Sequence, residues 1–292
     1  MSILVTGSTG TVGRQVVNGL VARHASVHAL TRNPDKASFP EGVRAVAGEM
    51  TDVASMRAAL KGVDTLFLLN AVAADEVTQA LITLTLAREA GIQRIVYFSV
   101  QNSDAFTDVP HFTGKYAVER AIEQLNLPAT VLRPSYFMQN DAMMKDALQH
   151  GVYPMPLGDL GVPMVDTRDI AEIVVAALLR RKQSAAPLPR EVIELVGPDT
   201  ITGNAAAAIW SEVLAKPVAY GGNDLDAFER NMASRAPSWS AYDIRLMLAR
   251  FQNDGMRPAP GSLDIMTGLL GHAPRSYREF VRETAASWDA AR

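Results

Sequence analysis

Val5-Thr6-Gly7-Ser8-Thr9-Gly10-Thr11-Val12-Gly13-Arg14 joins a short apolar run, Ile3–Val5, to a stretch of helical apolar spacing, Thr11–Arg23. Its glycines recur at every third position. Gly7 permits a tight turn out of a strand, Gly10 lets backbone approach a ligand, and Gly13 lets the helix lie against the strand. The amides that open a helix have no acceptor within it and sit at the positive end of its dipole, so the turn suits a pyrophosphate. A glycine triplet alone is also compatible with an ordinary tight turn. Between a strand and a helix, at the head of a βα pattern, it reads as a nucleotide-binding turn. Thr6, Gly7, Thr9, Gly10, Thr11, Val12 and Gly13 are the expected cofactor contacts there.

The same two patterns alternate outward from it. β-Branched and apolar runs at Ser26–Leu30, Val43–Ala47, Thr65–Leu69, Arg94–Phe98 and Ala129–Leu132 are separated by helical spacing at Asp52–Leu60, Asp75–Ala90 and Phe112–Asn126. Gly62 and Gly91 fall where helices should stop, and Pro128 cannot continue the helix before it. Strands that return through helices pair in parallel, and runs apolar on both faces are covered on both sides. The expected fold is α/β: a Rossmann-type doubly wound parallel sheet with a smaller, mainly helical C-terminal substrate domain. Past Leu132, Gly151–Gly158 reads as a Pro/Gly-rich loop and Val162–Val165 as an extended piece. Asp166-Thr167-Arg168-Asp169 opens an apolar helix, Ile170–Leu179, supplying a cap and a first-turn carboxylate. Glu191–Val196 reads as a strand, and helical segments follow from Thr202 to the last, Ser276–Trp288. Residues 1–155 form the expected nucleotide domain, 163–200 pack back onto it, and 201–292 form the substrate domain.

Composition narrows the function. The 292 residues carry 28 basic and 31 acidic side chains, a formal charge of −3, which argues against an extended nucleic-acid footprint. Without cysteine there are no disulfides, thiolate metal sites or cysteine nucleophiles. The five histidines, at 24, 28, 111, 150 and 272, form no ligand cluster, and the i, i+4 offset of His24 and His28 straddles a helix end and a strand, so no metal is expected. No targeting signal or apolar run of about 18 residues is evident, and the cytoplasm is the expected location.

The choice of dinucleotide turns on the end of the second strand, where NAD sites present an acid to the ribose 2′-hydroxyl. Here the chain reads Thr31-Arg32-Asn33-Pro34-Asp35-Lys36. Arg32 stands in the acid's place and its planar fork matches a 2′-phosphate, with Lys36 nearby and Arg14 over the same pocket. The alternative is a solvated loop arginine. NADP(H) is the expected cofactor.

Thr6–Gly13 resembles the fingerprint of the atypical short-chain dehydrogenases, and further segments are similar to their NmrA-like branch. These are Thr31-Arg32-Asn33-Pro34, Gly48-Glu49-Met50-Thr51-Asp52, Pro110-His111-Phe112-Thr113-Gly114-Lys115, Val131-Leu132-Arg133-Pro134 and Leu269-Leu270-Gly271-His272-Ala273-Pro274-Arg275-Ser276. The resemblance spans nearly the whole chain. It implies the fold and the use of NADP(H). It leaves the reaction open, because the branch holds isoflavone-type, quinone and triphenylmethane dye reductases and also NADP-sensing regulators.

The Tyr-x-x-x-Lys pair of ordinary short-chain dehydrogenases is absent: Tyr116 is followed four places on by Arg120, and Tyr136 by Asn140. In the corresponding place, His111 and Lys115 share one helix face. Lys115 matches a lysine the family uses at its active site, and the resemblance implies that it binds the nicotinamide ribose or polarises the acceptor. His111 is the candidate proton donor or orienting group. The bland reading makes both ordinary polar helix residues. Because ligands of such sheets lie beyond the carboxyl ends of the strands, Leu69, Asn70 and Ala71, Ser99 and Gln101, and Pro134, Ser135, Tyr136 and Phe137 are expected around the nicotinamide. Ser99 could donate to a substrate. Tyr136, Phe137, Met138, Tyr153 and Met155, with Met143, Met144, Trp239 and Tyr242 beyond, favour a flat apolar or aromatic acceptor, although each could equally be packing. Two functions remain: an NADPH-dependent oxidoreductase acting on a small acceptor such as a quinone, or a non-enzymatic NADP(H) sensor with a regulatory protein partner. Nucleotide-sugar isomerisation is weaker without the Tyr/Lys pair. No nucleic acid or membrane partner is expected.

Overall fold

The computed structural model describes residues 2–290, with side chains through Trp288. In chain order the elements are β1 (Ser2–Val5), α1 (Thr11–Ala22), β2 (Val27–Thr31), β3 (Arg44–Ala47), α2 (Val53–Ala59), β4 (Val63–Leu68), α3 (Glu76–Glu89), β5 (Ile95–Phe98), α4 (Pro110–Gln124) and β6 (Ala129–Pro134). They continue with α5 (Gln139–Ala142), α6 (Lys145–Gln149), β7 (Val152–Tyr153), α7 (Thr167–Gln183), β8 (Glu191–Leu195), α8 (Gly203–Val213), β9 (Ala219–Tyr220), α9 (Leu225–Ala233), α10 (Ser238–Asn253), α11 (Ser262–Leu270) and α12 (Tyr277–Ala290). Seven strands form one sheet in the order β3-β2-β1-β4-β5-β6-β8. The pairings from β3 through β6 are parallel. Strand order reverses between β1 and β4, the switch point at which a doubly wound sheet opens a crevice.

Local signals act where the sequence placed them. Asp52 caps α2 through a bond from Ser55 N at 2.9 Å. Gly62 and Gly91 adopt positive φ, 78° and 74°, after α2 and α3. The chain forms two compact units. The first comprises the chain through Asp104, His111–Arg133 and Ile170–Ile193. In it Leu4, Leu66, Leu68, Ile95, Tyr97 and Val131 of the sheet pack with Ala80, Leu84 and Ile122 of α3 and α4. The second comprises Ala105–Pro110, Pro134–Asp169 and the chain from Glu194. Its fully buried Trp210 stacks on Trp288, ring centroids 5.2 Å apart, and donates to the Tyr277 hydroxyl at 2.9 Å.

Val162–Val165, read as an extended piece, makes isolated bridges, Val162 to Ile201 and Val165 to Phe137, and Pro163 has no N–H to extend them into a ladder. Two local expectations are corrected. The Gly151–Gly158 loop contains β7, which pairs in parallel with β9; two residues are too few to show an alternating pattern. Helix α7 runs past Leu179 to Gln183, since Arg181 is fully buried and donates to the carbonyls of Pro128, Leu188 and Pro189 at 2.8–3.1 Å. Asp166 accepts from Arg168 N at 2.8 Å, and Asp169 accepts from Arg275 N at 2.8 Å, so the acid pair is structural. Among the described residues, no helix is long and apolar enough to cross a membrane.

Candidate functional site

The glycine turn leaves β1 at the switch point. Gly7 has φ +59°, and a Cβ on it would meet Leu69 Cγ and O at 2.9 Å. A Cβ on Gly13 would lie 2.1 Å from the Gly7 carbonyl oxygen. The Gly10 amide donates to that oxygen at 3.0 Å. Gly10 is the N-cap of α1 and no side chain caps the helix there. The cradle is thus backbone, with Gly7 and Gly13 enforced by contact, and it fits a diphosphate. Thr6 and Ser8 hold it in place. Thr6 Oγ1 donates to Leu69 O at 2.9 Å and accepts from Leu69 N at 2.8 Å, while Ser8 Oγ donates to Leu30 O at 2.7 Å. Both are fully buried, so the Thr6 side chain fixes the turn to β4. Val12 is also buried; Thr9, Gly10 and Thr11 face solvent.

Arg32 follows the last residue of β2 and is exposed, as is Lys36 in the single turn Pro34–Lys36. Arg14 Nη2 donates to Thr9 O at 3.3 Å, laying the guanidinium along the turn. Past β4, Asn70 is buried; its Nδ2 donates to Gln79 Oε1 at 3.3 Å and its Oδ1 has no hydrogen-bond partner among the described residues. Ala71 is exposed.

Helix α4 presents His111, Lys115 and Glu119 four residues apart, hence on one face. Lys115 is 7% exposed, with Nζ 3.6 Å from Glu76 Oε2 at the start of α3. Burial pulls its ammonium below lysine's ordinary value, and the Glu76 carboxylate opposes that pull. His111 is half-buried, its ring edge-on to Phe112 at 4.7 Å. Glu119 is held by Arg133, through Nε at 3.0 Å and Nη2 at 2.6 Å, and by Ser103 at 3.1 Å. Asp104 accepts from Arg133 Nη1 at 3.0 Å. Ser99 also donates to Glu119. This corrects the expectation for Ser99, whose proton is directed to Glu119 rather than to a substrate. Gln101 is fully buried, and neither end of its amide has a hydrogen-bond partner among the described residues. Unpaired buried amides are costly, and a ligand that supplies both a donor and an acceptor would relieve this one.

Pro134, Ser135, Tyr136, Phe137, Met138, Tyr153 and Met155 belong to the second unit. Ser135 N donates to Leu195 O at 2.9 Å. Tyr136 packs edge-on to Phe251 at 5.9 Å; burial, then the Asp141 charge, push its phenol up. Phe137 and Met155 are half-buried. Met138 and Tyr153 are fully buried, and the Tyr153 hydroxyl donates to Asp141 at 3.0 Å. These two are core side chains of that unit, a correction to their reading as acceptor-lining. Methionine and tyrosine in a run look the same whether they face a pocket or a core. Met143, Trp239 and Tyr242 are exposed.

Sequence reasoning missed Glu76, the Glu119–Arg133 pair and Asp141. Only Glu119 carried a signal, its four-residue offset from Lys115.

Residues 1–255 match the model of the NmrA-like family. An NAD(P)H azoreductase of Xenophilus azovorans is 30% identical over 99% of this chain and 100% of its own length. A triphenylmethane reductase of Citrobacter sp., complexed with NADP(H), superposes with a TM-score of 0.85 at 22% identity, covering 97% of this chain and 100% of that one. An NADPH-dependent quinone oxidoreductase of Escherichia coli, complexed with NADPH, gives 0.84 at 23% identity, covering 96% and 99%.

Proposed function

The chain belongs to the NmrA-like family, and on that premise we propose that it is an NADPH-dependent reductase passing hydride to a small, flat, apolar acceptor such as a quinone. The observation that carries this reading is the backbone cradle at Gly7–Gly13, closed to any Cβ at both ends by direct contact. The likeness to an NAD(P)H azoreductase along the full length supports the reaction class.

In this reading the amides at the start of α1 hold the pyrophosphate, and Arg32 with Lys36 meets the 2′-phosphate. When bound, the cofactor supplies the hydride. Lys115 holds the nicotinamide ribose or an acceptor oxygen, and His111 orients the acceptor or gives a proton to it. Asn70 and Gln101 offer amide atoms that have no hydrogen-bond partner among the described residues. A quinone needs little acid catalysis, which suits a helix without Tyr-x-x-x-Lys.

The test is NADPH oxidation followed optically against quinones, dyes and enones, with the wild type, Lys115→Ala and His111→Ala. Turnover of at least one acceptor, impaired by Lys115→Ala, is expected. Tight NADPH binding with no acceptor reduced would replace this reading with the sensor.

A further inference from the structure

We propose that Glu76 is a positioning residue that keeps Lys115 charged and aimed. The inference rests on the reading above, in which Lys115 touches the ribose or the acceptor. A buried ammonium must be paired, or it sheds its proton or moves. Lys115 is enclosed, and the Glu76 carboxylate, itself only 6% exposed, stands 3.6 Å away. That distance is long for a hydrogen bond but short for electrostatic attraction, so Glu76 can steady the charge while the ammonium's donors serve a ligand oxygen.

The other groups around Lys115 do not take this part. Glu119, one turn further along α4, is neutralised by the two bonds from Arg133 of β6. Tyr97 of β5 donates to the Lys115 backbone carbonyl at 3.5 Å, and burial holds its phenol well above the ordinary value. His111 lies one turn earlier on the same helix. Glu76 sits in the first turn of α3, where the positive end of the helix dipole favours a carboxylate. Its place is also bounded sterically: a Cβ on Gly114, beside Lys115, would lie 3.2 Å from Glu76 Oε1 and 3.1 Å from Val77 Cγ2.

The test removes the charge and keeps the shape, with Glu76→Gln. Its first readout needs no turnover. In protein labelled with 13C at the lysine methylenes, the Lys115 signal, assigned by its loss in Lys115→Ala, should titrate about one to three pH units lower in Glu76→Gln than in wild type. The second readout is kcat/KM against pH for quinone reduction, whose alkaline limb should move the same way. Binding of adenosine 2′,5′-bisphosphate, which reaches only the glycine turn and Arg32, should be unchanged and reports folding. If Glu76→Gln does not fold, Glu76→Met replaces it and should lower the titration in the same way, while Glu76→Asp, which keeps the charge one methylene further back, should lower it less. A Lys115 titration that is the same with and without the Glu76 charge overturns the proposal. Full activity in Lys115→Ala would instead overturn the reading of the site on which it rests.

Discussion

Gly13 faces the Gly7 carbonyl so closely that a Cβ at position 13 would stand 2.1 Å from its oxygen, a contact with backbone that no rotamer can relieve. Gly13→Ala must therefore push α1 off the turn. NADPH affinity should fall at least about tenfold, the equivalent of 1.4 kcal/mol, and thermal stability should fall with it. At Gly10 the equivalent contact is 3.3 Å, which a small shift accommodates, so Gly10→Ala should bind more tightly than Gly13→Ala. Calorimetric titration of both variants checks the order. Wild-type affinity in Gly13→Ala would remove the cradle as the binding determinant.

Arg32 is exposed at the end of β2 with its guanidinium open to a phosphate. A charged hydrogen bond contributes about 1.5–3 kcal/mol, so Arg32→Ala should weaken NADPH about ten- to a hundred-fold and leave NADH nearly unchanged. Parallel titrations with the two cofactors measure the ratio, and equal losses for both would count against the 2′-phosphate assignment.

The parts of the molecule that were legible in the sequence are those whose physical requirements are local. The β1–turn–α1 unit announces itself because a tight turn, a close approach and a helix start each demand a glycine within one short stretch. The helical register that joins His111 to Lys115 is local too, and it extends to Glu119. Glu76 was not legible, because its pairing with Lys115 exists only once α3 and α4 lie side by side on the sheet, and no spacing within either helix encodes that. Ser99 misled for a similar reason: the acceptor for its hydroxyl, Glu119, is brought to it by α4. Met138 and Tyr153 show the converse, since composition reports an apolar surrounding without saying whether it is a pocket or a core.

Glu119 is clasped by Arg133 in a setting where both are largely out of water, with side-chain exposures of 8% and 13%. Removing one member of such a pair leaves the other buried and uncompensated, at a cost of about 3–5 kcal/mol. Glu119→Ala should lose stability on that scale in denaturant unfolding. Glu119→Gln combined with Arg133→Met, which removes both charges and leaves an amide oxygen to accept from Ser99 and Ser103, should recover much of it. Equal stabilities for the single and double variants would show that the pair is not the source of the loss.

Asp141 poses the opposite case, a carboxyl whose burial works against its charge. It is fully buried and accepts from Tyr153 at 3.0 Å and from Tyr277, yet burial outweighs these bonds and pushes it up to about 7. In the unfolded chain an aspartate titrates near ~3.9. Between those two values the folded state binds a proton that the unfolded state has released, so stability falls as pH rises from about 4 to about 7 and then levels off. At about 1.4 kcal/mol per unit, the contribution lost across that window is roughly 4 kcal/mol. Asp141→Asn cannot titrate, and its carbonyl oxygen still accepts from the two tyrosines. The difference in unfolding free energy between variant and wild type, measured in urea from pH 5 to 8, should therefore move steadily in the variant's favour up to neutrality and stay constant above it. A difference that does not change with pH would place the Asp141 proton elsewhere.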